Sequence, residues 1–422
     1  MLKRNPKNTS PGRKGKLVYI TSTFPVLRET FISREIIELE KRGIELIVVS
    51  LKNTPQSVGQ EELPHAKVFY LPFFFSLSLL RASAKVFLER SSNIVREAAR
   101  ILWALRKRPG RMLKFLAILP KSLCLIDIFR RENILHLHAH FATVPTTCAF
   151  FISKVSGLPF SFTAHAWDIY VKGTELLLAE KMRAADRVIT VSNHNHGHLL
   201  SLGGPGDKVK VVYQGLELER YRFPEKAPRE VPLIVAGGGL EPKKGVHIVL
   251  QALAELMMRG IRFEAEIFGD GPERLRLVQL ALSLNLGTNV SFVGSMPHQG
   301  IIRLFQRADI FVMASIRARN GSMEGLPNVL AEAMACGATV VASRLSGIPE
   351  LVRDGVDGIL VPAGDAIMLA DSLVNLLLDN ELRRRLSLNG RKRVEAFFDL
   401  RNNISPLAEY FEQALKLPES SA

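Results

Sequence analysis

The chain has 422 residues, of which 47% are hydrophobic and 23% are charged, and its formal net charge is +15. This length exceeds one ordinary hydrophobic core and predicts two domains, while the balance of residue types excludes a largely disordered chain. The three cysteines, Cys124, Cys148 and Cys336, form no CxxC pair. We therefore expect neither a disulfide framework nor a zinc cluster, and we predict a reducing compartment.

The basic charge is concentrated in two segments. Residues 1–16 carry six basic side chains and no acidic one, and residues 81–131 carry thirteen basic and three acidic side chains. The first segment lacks the apolar run of a signal peptide, so we expect a disordered basic tail. We predict no transmembrane helix, because the apolar stretches are too short or are interrupted by charges and proline.

The first predicted elements are a strand at residues 16–20, a helix at about residues 30–42 and a strand at residues 44–50. A strand, a helix and a strand at this spacing form a βαβ unit. The unit predicts a parallel sheet with right-handed crossovers.

Between residues 87 and 119, apolar residues recur at helical spacing, with an interruption at residues 109–110. The apolar stripe comprises Phe87, Ile94, Ala98, Ile101, Leu105, Met112, Phe115 or Leu116, and Leu119. Such a basic amphipathic pair can lie on an anionic membrane surface, or it can pack its stripe in a core. We favour membrane contact because the local charge is unusual for a solvated face. We expect no nucleic acid partner, because no aromatic stacking platform interleaves with the basic residues.

Two predicted strands further on end in polar loops. His136, His138 and His140 alternate along the first of them and would point to one face, but no carboxylate or cysteine nearby in sequence completes a metal site. We interpret the row as a polar strand end that lines a cleft. The next strand is followed by His165 and Asp168, at the edge where open α/β sheets bind ligands. Asp168 could instead cap the next turn.

A second strand, glycine loop and helix start follow at residues 232–245, after a segment at residues 214–232 that we interpret as a linker. The glycines let a backbone approach phosphate closely, and Lys244 can supply a positive charge. We predict a tail at residues 1–16, an N-terminal domain at 17–225, a C-terminal domain at 226–398, and a C-terminal helix at 399–422 that packs back on the N-terminal domain.

The most informative stretch is EGLPNVLAEAMACG, at residues 324–337. It predicts a turn and a short helix that starts near Pro327 and ends at Gly337. A helix start offers unpaired N–H groups to an anion such as phosphate. Glu324 and Glu332 would then accept hydrogen bonds from hydroxyls of the same ligand. A sugar nucleotide, with phosphates between two hydroxyl-rich rings, satisfies this arrangement.

With these motifs, the chain resembles the retaining glycosyltransferases of the large group 1, or family 4, type. The marks of the resemblance are the E-x7-E of Glu324 and Glu332, EPKKG at residues 241–245, FGDGP at 268–272 and SGIPE at 346–350. HAHFA at residues 138–142 and FTAHAWDIY at 162–170 look most like the branch that builds bacterial exopolysaccharides such as colanic acid.

The resemblance implies an α/β protein of the GT-B fold, with two Rossmann-like, doubly wound parallel-sheet domains facing across a cleft. It implies a nucleoside-diphosphate sugar as donor, no cofactor and no metal ion. By that likeness Glu332 would accept from the ribose, Glu324 would face the donor sugar, and Lys244 would neutralise the diphosphate. His165 would lie beside the sugar. The other donor-binding residues would be Gly239, Gly325, Leu326, Pro327 and Asn328.

The chain departs from the family pattern in two places. Gly239 stands where the family has an arginine, which removes one diphosphate contact unless Arg344 or Lys243 compensates. The double glycine of the first domain's opening loop is replaced by residues 24–30, as also occurs in the exopolysaccharide branch.

We expect a hexosyltransferase that acts on a lipid-linked saccharide at the inner face of the cytoplasmic membrane. The alternatives are a sugar-nucleotide epimerase of the same architecture and a non-enzymatic or weakly active partner in polysaccharide assembly. The donor base, the donor sugar and the acceptor are not specified by the sequence.

Overall fold

The computed structural model describes residues 15–26, 29–52, 63–71, 77–171, 177–224 and 229–416. Residues 1–14 of the predicted basic tail lie outside these ranges. The chain divides into two compact units. The first unit comprises Met1–Val191, His196–Val212 and Ile404–Ala422, and the second comprises Ser192–Asn195 and Tyr213–Asn403.

The first unit contains a parallel sheet of seven strands in the order β3-β2-β1-β4-β5-β6-β7. In chain order the elements up to Val212 are β1 (Lys16–Thr21), α1 (Thr30–Lys41), β2 (Leu46–Ser50), β3 (Lys67–Tyr70), α2 (Leu77–Leu105), α3 (Pro109–Arg131), β4 (Ile134–His140), α4 (Val144–Ser156), β5 (Phe160–Ala164), α5 (Trp167–Tyr170), α6 (Leu178–Ala184), β6 (Arg187–Thr190), α7 (Asn193–Ser201) and β7 (Val209–Val211). The short edge strand β3 was not predicted.

The second unit repeats the design with six parallel strands in the order β10-β9-β8-β11-β12-β13. Its elements, followed by the last helix of the chain, are β8 (Leu233–Gly237), α8 (Val246–Met258), β9 (Glu264–Phe268), α9 (Arg274–Ser283), β10 (Val290–Gly294), α10 (His298–Arg307), β11 (Ile310–Met313), α11 (Asn328–Ala335), β12 (Thr339–Ser343), α12 (Ile348–Leu351), β13 (Ile359–Val361), α13 (Ala366–Leu378), α14 (Asn380–Phe397), α15 (Leu400–Asn403) and α16 (Ser405–Ala414).

The central strands explain why both sheets are parallel and covered on both faces. Every residue of β5, β8 and β12 is buried, and these strands are continuous apolar or small-residue runs rather than alternating ones. Such runs are typical of strands with helices on both faces of the sheet. The prediction of two doubly wound parallel sheets is confirmed, and in each sheet the carboxyl ends of neighbouring strands bring their loops together.

The basic amphipathic pair forms the long helices α2 and α3, but most of its predicted apolar stripe packs inside the first unit. Ile94, Ala98, Ile101, Leu105 and Phe115 are buried. Most of the stripe therefore packs in the core, which is the alternative given beside membrane contact, and these side chains are not available to a membrane. In the described ranges, no helix combines the length and the apolar character that a bilayer crossing requires.

The segment interpreted as a linker is partly structured. Leu216 and Tyr221 are buried in the second unit, and Leu216 forms a bridge with Asp399. The segment is rich in polar residues, which suggested a linker, but its few apolar side chains anchor it. The helix α16 belongs to the first unit, where Ser405 accepts a hydrogen bond from Arg42 and Tyr410 lies 3.3 Å from His136 Nε2.

Candidate active site

Two glycines that bracket the loop after β8, Gly237 and Gly245, lie so close to neighbouring backbone that neither leaves room for a side chain. A Cβ on Gly237 would lie 2.1 Å from the carbonyl oxygen of Phe268, and one on Gly245 would lie 1.7 Å from that of Ala314. Both glycines also have positive φ. These contacts fix a short turn, Pro242–Lys244, that carries two adjacent lysines.

The two lysines of this turn hold one buried carboxylate between them. Lys243 Nζ lies 3.2 Å from Glu324 Oε1, and Lys244 Nζ lies 3.2 Å from Glu324 Oε2. Burial alone would raise the pKa of Glu324, but Lys244 and Lys243 outweigh burial and lower it to about 2. We call these three residues the lysine–glutamate triad. It carries a net positive charge, and it brings together the predicted residues Glu324 and Lys244.

The predicted helix start and helix end around residues 327–337 are found in the structure. The helix α11 begins at Asn328, directly after Pro327, and Gly337 follows it with φ +82°. Leu326 is buried, and the carbonyl of Gly325 accepts hydrogen bonds from Gly347 N and Ser346 Oγ, which fix the turn before the helix. The first-turn amides of a helix lack intrahelical acceptors, so they remain available to a ligand or to water.

Glu332 lies inside α11 and forms a second polar group. Its Oε1 accepts a hydrogen bond from Tyr221 at 3.1 Å and lies 3.3 Å from His298 Nε2. Neither partner was predicted from the sequence. Tyr221 lies in the segment interpreted as a linker, and His298 is a lone histidine at the start of α10 with no motif around it.

Gly239 lies in the loop after β8, where its carbonyl accepts a hydrogen bond from Glu241 N. Of the two cations that would compensate for the absent arginine, Arg344 pairs with Asp354 at 2.6 Å on the surface, whereas Lys243 contacts Glu324. Of the two cations, Lys243 is therefore the one that contacts Glu324, as a member of the triad.

In the first unit, His165 follows β5 and is held by the side chain of Asp168. The Asp168 carboxylate accepts hydrogen bonds from the amides of His165, Ala166 and Ala142. Burial raises the pKa of Asp168, although these amides oppose the shift. Asp168 lies in the first turn of the short helix α5, and its carboxylate connects the loop after β4 with the loop after β5.

The alternating histidines of β4 are buried and bonded mainly to hydroxyls. His138 contacts Ser161 through Nδ1 at 2.8 Å and Thr163 through Nε2 at 3.0 Å. His140 Nδ1 lies 3.1 Å from His165 Nε2. Burial lowers the pKa of His136 to about 3 and holds the pKa of His138 and His165 well below the usual range. These three rings are therefore neutral at pH 7.

One carboxylate reaches the histidine row from a distant part of the sequence. Glu35, on α1, lies 3.3 Å from His140 Nε2. Glu35, His138 and His140 have ligand atoms close enough to hold a metal ion. Glu35 was not expected beside the row, because only the folding of α1 over the sheet brings it near. Since Ser161 and Thr163 engage both nitrogens of His138, a metal would have to displace one of them.

Two protein-family models match the chain in succession. Residues 29–220 match the model described as Glycosyltransferase Family 4, and residues 218–393 match Glycosyl transferases group 1. Together these matches extend over both units, from the start of α1 to α14.

Curated relatives match about half of the chain. WcaL of Escherichia coli, which is assigned to colanic acid biosynthesis as a glycosyltransferase, is 34% identical over 219 residues, covering 51% of this chain and 54% of WcaL. The amylovoran biosynthesis glycosyltransferase AmsK of Erwinia amylovora is 36% identical over 216 residues, covering 51% of this chain and 53% of AmsK. The chain thus spans about half the length of these curated relatives.

A solved structure resembles the fold over most of the chain. HepE of Anabaena, determined in complex with UDP and glucose, superimposes with a TM-score of 0.72 at 20% identity, covering 94% of this chain and 100% of HepE. The two family models, the curated relatives and this fold agree. The chain belongs to the group 1, family 4 glycosyltransferases and has the GT-B fold.

Proposed function

We propose that the protein is a retaining, metal-independent glycosyltransferase that transfers a sugar from a nucleoside-diphosphate sugar in exopolysaccharide or other cell-surface polysaccharide synthesis. The observation that carries the proposal is the lysine–glutamate triad beside the start of α11. HepE, with the same fold, is a protein whose crystals contain UDP and glucose, which supports a nucleotide-sugar donor for this chain too.

The triad suits the most demanding step of the reaction, the departure of a nucleoside diphosphate. Negative charge builds on the leaving phosphate as the glycosidic bond breaks, and fixed cations and N–H groups stabilise that charge best where water is excluded. Lys244 is our candidate for this contact, with Lys243 supplying the charge that the absent arginine at Gly239 would have given. The backbone N–H groups of Gly325, Leu326 and Asn328 would add donors at this helix start, and Pro327, which has no N–H, would fix the turn between them.

The carboxylates have binding rather than nucleophilic tasks in this proposal. Each oxygen of Glu324 contacts a lysine and its pKa is about 2, so the group is a weak nucleophile and a good acceptor for a sugar hydroxyl. Glu332 would accept from the ribose hydroxyls. His165 would lie beside the sugar, where a neutral imidazole can exchange hydrogen bonds with a hydroxyl. The acceptor hydroxyl would attack on the face from which the diphosphate leaves.

A donor screen followed by one substitution tests this proposal. Nucleotide sugars are first ranked by thermal stabilisation, since a ligand that binds only the folded state raises the unfolding temperature. With the selected donor, Glu332→Ala should lower transfer by roughly ten- to a hundredfold, the loss expected from hydrogen bonds to a charged group. Glu381→Ala, an exposed glutamate in the first turn of α14, is the matched control and should change transfer little.

Three results would count against the proposal in different ways. Unchanged transfer by Glu332→Ala would refute the ribose assignment. Conversion of the nucleotide sugar without an acceptor would identify an epimerase, and tight nucleotide binding without transfer would identify a non-enzymatic assembly partner.

We further propose that the acceptor is lipid-linked and that α2 and α3 dock on an anionic membrane, at the inner face of the cytoplasmic membrane. The buried stripe is not the contact surface. Instead Leu88, Val95, Trp103 and Leu113 are exposed by 82%, 53%, 68% and 69%. Exposed basic side chains alternate with them, and Arg106 stacks on the Trp103 ring with 4.2 Å to its centroid. Apolar side chains amid basic ones are typical of interfacial binding.

The chain contains only two tryptophans, Trp103 and Trp167, which gives a direct optical test. In Trp167→Phe, the emission of Trp103 should shift to shorter wavelength with vesicles of mixed neutral and anionic lipids, and not with neutral vesicles. Replacing Lys107 and Arg108 by glutamine should weaken vesicle binding by roughly tenfold or more, since each basic residue near the surface contributes about 1 kcal/mol.

Replacing Arg384 and Arg385 on α14 by glutamine removes the same charge elsewhere and serves as the control. Equal vesicle binding by both charge-depleted proteins, or no shift of Trp103 emission, would refute membrane docking through α2 and α3 while leaving the transferase proposal standing.

A further inference from the structure

The first residue of α9 is an arginine that has an unpaired donor in a buried place. Arg274 is partly buried, and its Nη1 is fully buried with no hydrogen-bond partner among the residues that the structure describes. The adjacent carboxylate, Glu273, contacts Arg276 instead. A buried guanidinium N–H that gives up water without gaining an acceptor is costly and uncommon. The unpaired N–H therefore points to an acceptor that a bound molecule supplies.

Arg274 lies at the edge of the sheet where the loops of the candidate donor site meet. A Cβ on Gly294, the last residue of β10, would lie 3.7 Å from Arg274 Nη1. The carbonyl of Gly294 accepts a hydrogen bond of 2.7 Å from Gly269 N, just after β9, and Gly269 packs against the carbonyl oxygen of Gly238. A Cβ on Gly238 would in turn lie 3.9 Å from Lys244 Nζ. Arg274 and Lys244 therefore lie at the same edge, beside strands β10 and β8.

The separation of these two cations assigns them to different parts of a donor. The strand β9 lies between β8 and β10, and neighbouring strands are about 4.8 Å apart, so the ends of β8 and β10 are about 10 Å apart. Lys244 is our candidate for the diphosphate. Glu332, which we assign to the ribose, contacts His298 at the start of α10, the helix that follows β10. A donor with its phosphates at Lys244 and its ribose at Glu332 leaves the nucleobase for Arg274.

The chemistry of a guanidinium restricts which base it can bind in this way. Its N–H groups donate hydrogen bonds, and it accepts none. Uracil, thymine and guanine offer a carbonyl oxygen where adenine carries an amino group, which is itself a donor. A donor that faces another donor leaves both unpaired, and this cost rejects the wrong base.

We propose that Arg274 is a specificity-determining residue that donates a hydrogen bond to a carbonyl oxygen of the nucleobase. It therefore selects a donor with uracil, thymine or guanine over one with adenine. This inference rests on the proposed transferase function, because the base belongs to the nucleoside-diphosphate sugar.

Calorimetric titration with UDP, dTDP, GDP and ADP measures the selection. At least one of the three carbonyl-bearing nucleotides should bind roughly tenfold or more tightly than ADP, as expected for a hydrogen bond from a charged group. Arg274→Met keeps an unbranched apolar side chain and should weaken binding of that nucleotide by roughly tenfold, with little change for ADP. Arg276→Met removes the same charge from an exposed position of α9 and should leave all four affinities unchanged.

Urea unfolding separates a ligand contact from a structural role. Without nucleotide, Arg274→Met should unfold at the same urea concentration as the unsubstituted chain or at a higher one, because an unpaired buried charge adds no stability. At one fixed concentration of the selected nucleotide, the variant should gain less stability than the unsubstituted chain. A lower midpoint without nucleotide, together with equal losses of affinity for all four nucleotides, would identify a structural residue and overturn the inference.

Other results would overturn the inference and leave the proposed function standing. Tighter binding of ADP than of the other three nucleotides would do so, as would an unchanged preference in Arg274→Met. Equal losses for all nucleotides, with a matching loss for inorganic pyrophosphate, would assign Arg274 to the phosphates instead of the base. If the unsubstituted chain binds no nucleoside diphosphate at all, the proposed nucleotide-sugar donor fails together with this inference.

Discussion

The two units share one architecture but differ in the charge of their buried polar side chains. In the first unit, the rings of His136, His138 and His165 are kept neutral by burial and bond to hydroxyls or to another ring. In the second unit, Glu324 stays charged although it is buried, because Lys243 and Lys244 contact its two oxygens.

This difference separates two kinds of recognition. Neutral imidazoles and hydroxyls can match a sugar hydroxyl without a large desolvation cost. The lysines of the triad are partly exposed, and Glu241 Oε2 lies 3.8 Å from Lys243 Nζ, but two cations on one shared carboxylate still favour an anionic ligand beside Lys244. We infer that the same fold can carry either neutral or charged polar side chains at the carboxyl ends of its strands. These side chains determine whether a unit binds uncharged hydroxyls or an anion.

Acidification should separate the two units most strongly. The buried histidines have folded-state pKa values below 6.5, so below pH 6.5 the unfolded chain binds more protons than the folded chain. Stability present above pH 6.5 is therefore lost as the pH falls towards about 3, by up to about 1.4 kcal/mol per pH unit for each histidine. Amide hydrogen exchange at pH 7 and pH 5, corrected for intrinsic rates, should show lost protection in β4 and β5 while β8 and β12 remain protected.

The variant His136→Gln is the control for this prediction. This variant lacks the imidazole ring of His136, which takes up a proton when the acidified chain unfolds. The loss of amide protection between pH 7 and pH 5 should therefore be smaller than in the unsubstituted chain. Equal loss of protection in β4 and β8 would show that the contrast between the units does not govern their stability.

Removing a cation of the triad should have the next largest effect, and on transfer rather than on folding. Lys244→Met should lower the turnover number by roughly a hundred- to a thousandfold, as expected when one preorganised group that stabilises the leaving charge is lost. Lys243 still pairs with Glu324 in this variant, so the chain should still fold, with a smaller loss of unfolding free energy than Glu324→Gln causes. The exposed Lys210→Met is the matched control, and a turnover equal to that control would remove Lys244 from the mechanism.

Neutralising the carboxylate of the triad should instead reduce stability. The lowered pKa of Glu324 corresponds to a contribution of roughly 3 kcal/mol above pH 4.5, which is lost as the pH falls through about 2. Glu324→Gln leaves two neighbouring lysines without their shared anion and should cost about that much in urea unfolding at pH 7. Glu241→Gln, whose carboxylate lies 3.8 Å from Lys243 Nζ, should cost much less, and equal costs would deny the triad any special role.

The sequence predicted the parts of the molecule that depend on local patterns. The apolar runs gave the central strands, and the turn before Pro327 gave the start of α11, within one residue. The short strand β3 was missed, because four residues with a charged and a polar end carry too weak a pattern.

Contacts between distant residues could not be predicted in the same way. The proximity of Glu35 to His140 joins residues far apart in sequence, and so does that of Tyr221 to Glu332. No spacing rule connects them, because the crossovers of the sheet, rather than the local sequence, set their separation. The exposed apolar residues of α2 and α3 were missed for a related reason, since periodicity indicates a stripe but does not reveal which side of a helix the core covers.

The hydroxyl of Tyr221 offers the smallest and most specific test of the second unit. It donates to Glu332 Oε1 and lies 3.3 Å from His298 Nε2, so it orients the carboxylate that we assign to the ribose. Tyr221→Phe keeps the buried ring and removes this hydrogen bond, worth about 1 kcal/mol, which should weaken nucleoside diphosphate binding by roughly fivefold. Calorimetric titration with UDP, GDP and ADP measures the change. Tyr213→Phe, which removes a hydrogen bond to Glu350 in the same unit, should leave the affinity unchanged. An equal loss of nucleotide affinity in both variants would show that removing either hydroxyl weakens binding in the same way. The orientation of Glu332 by Tyr221 would then have no specific role in binding the ribose.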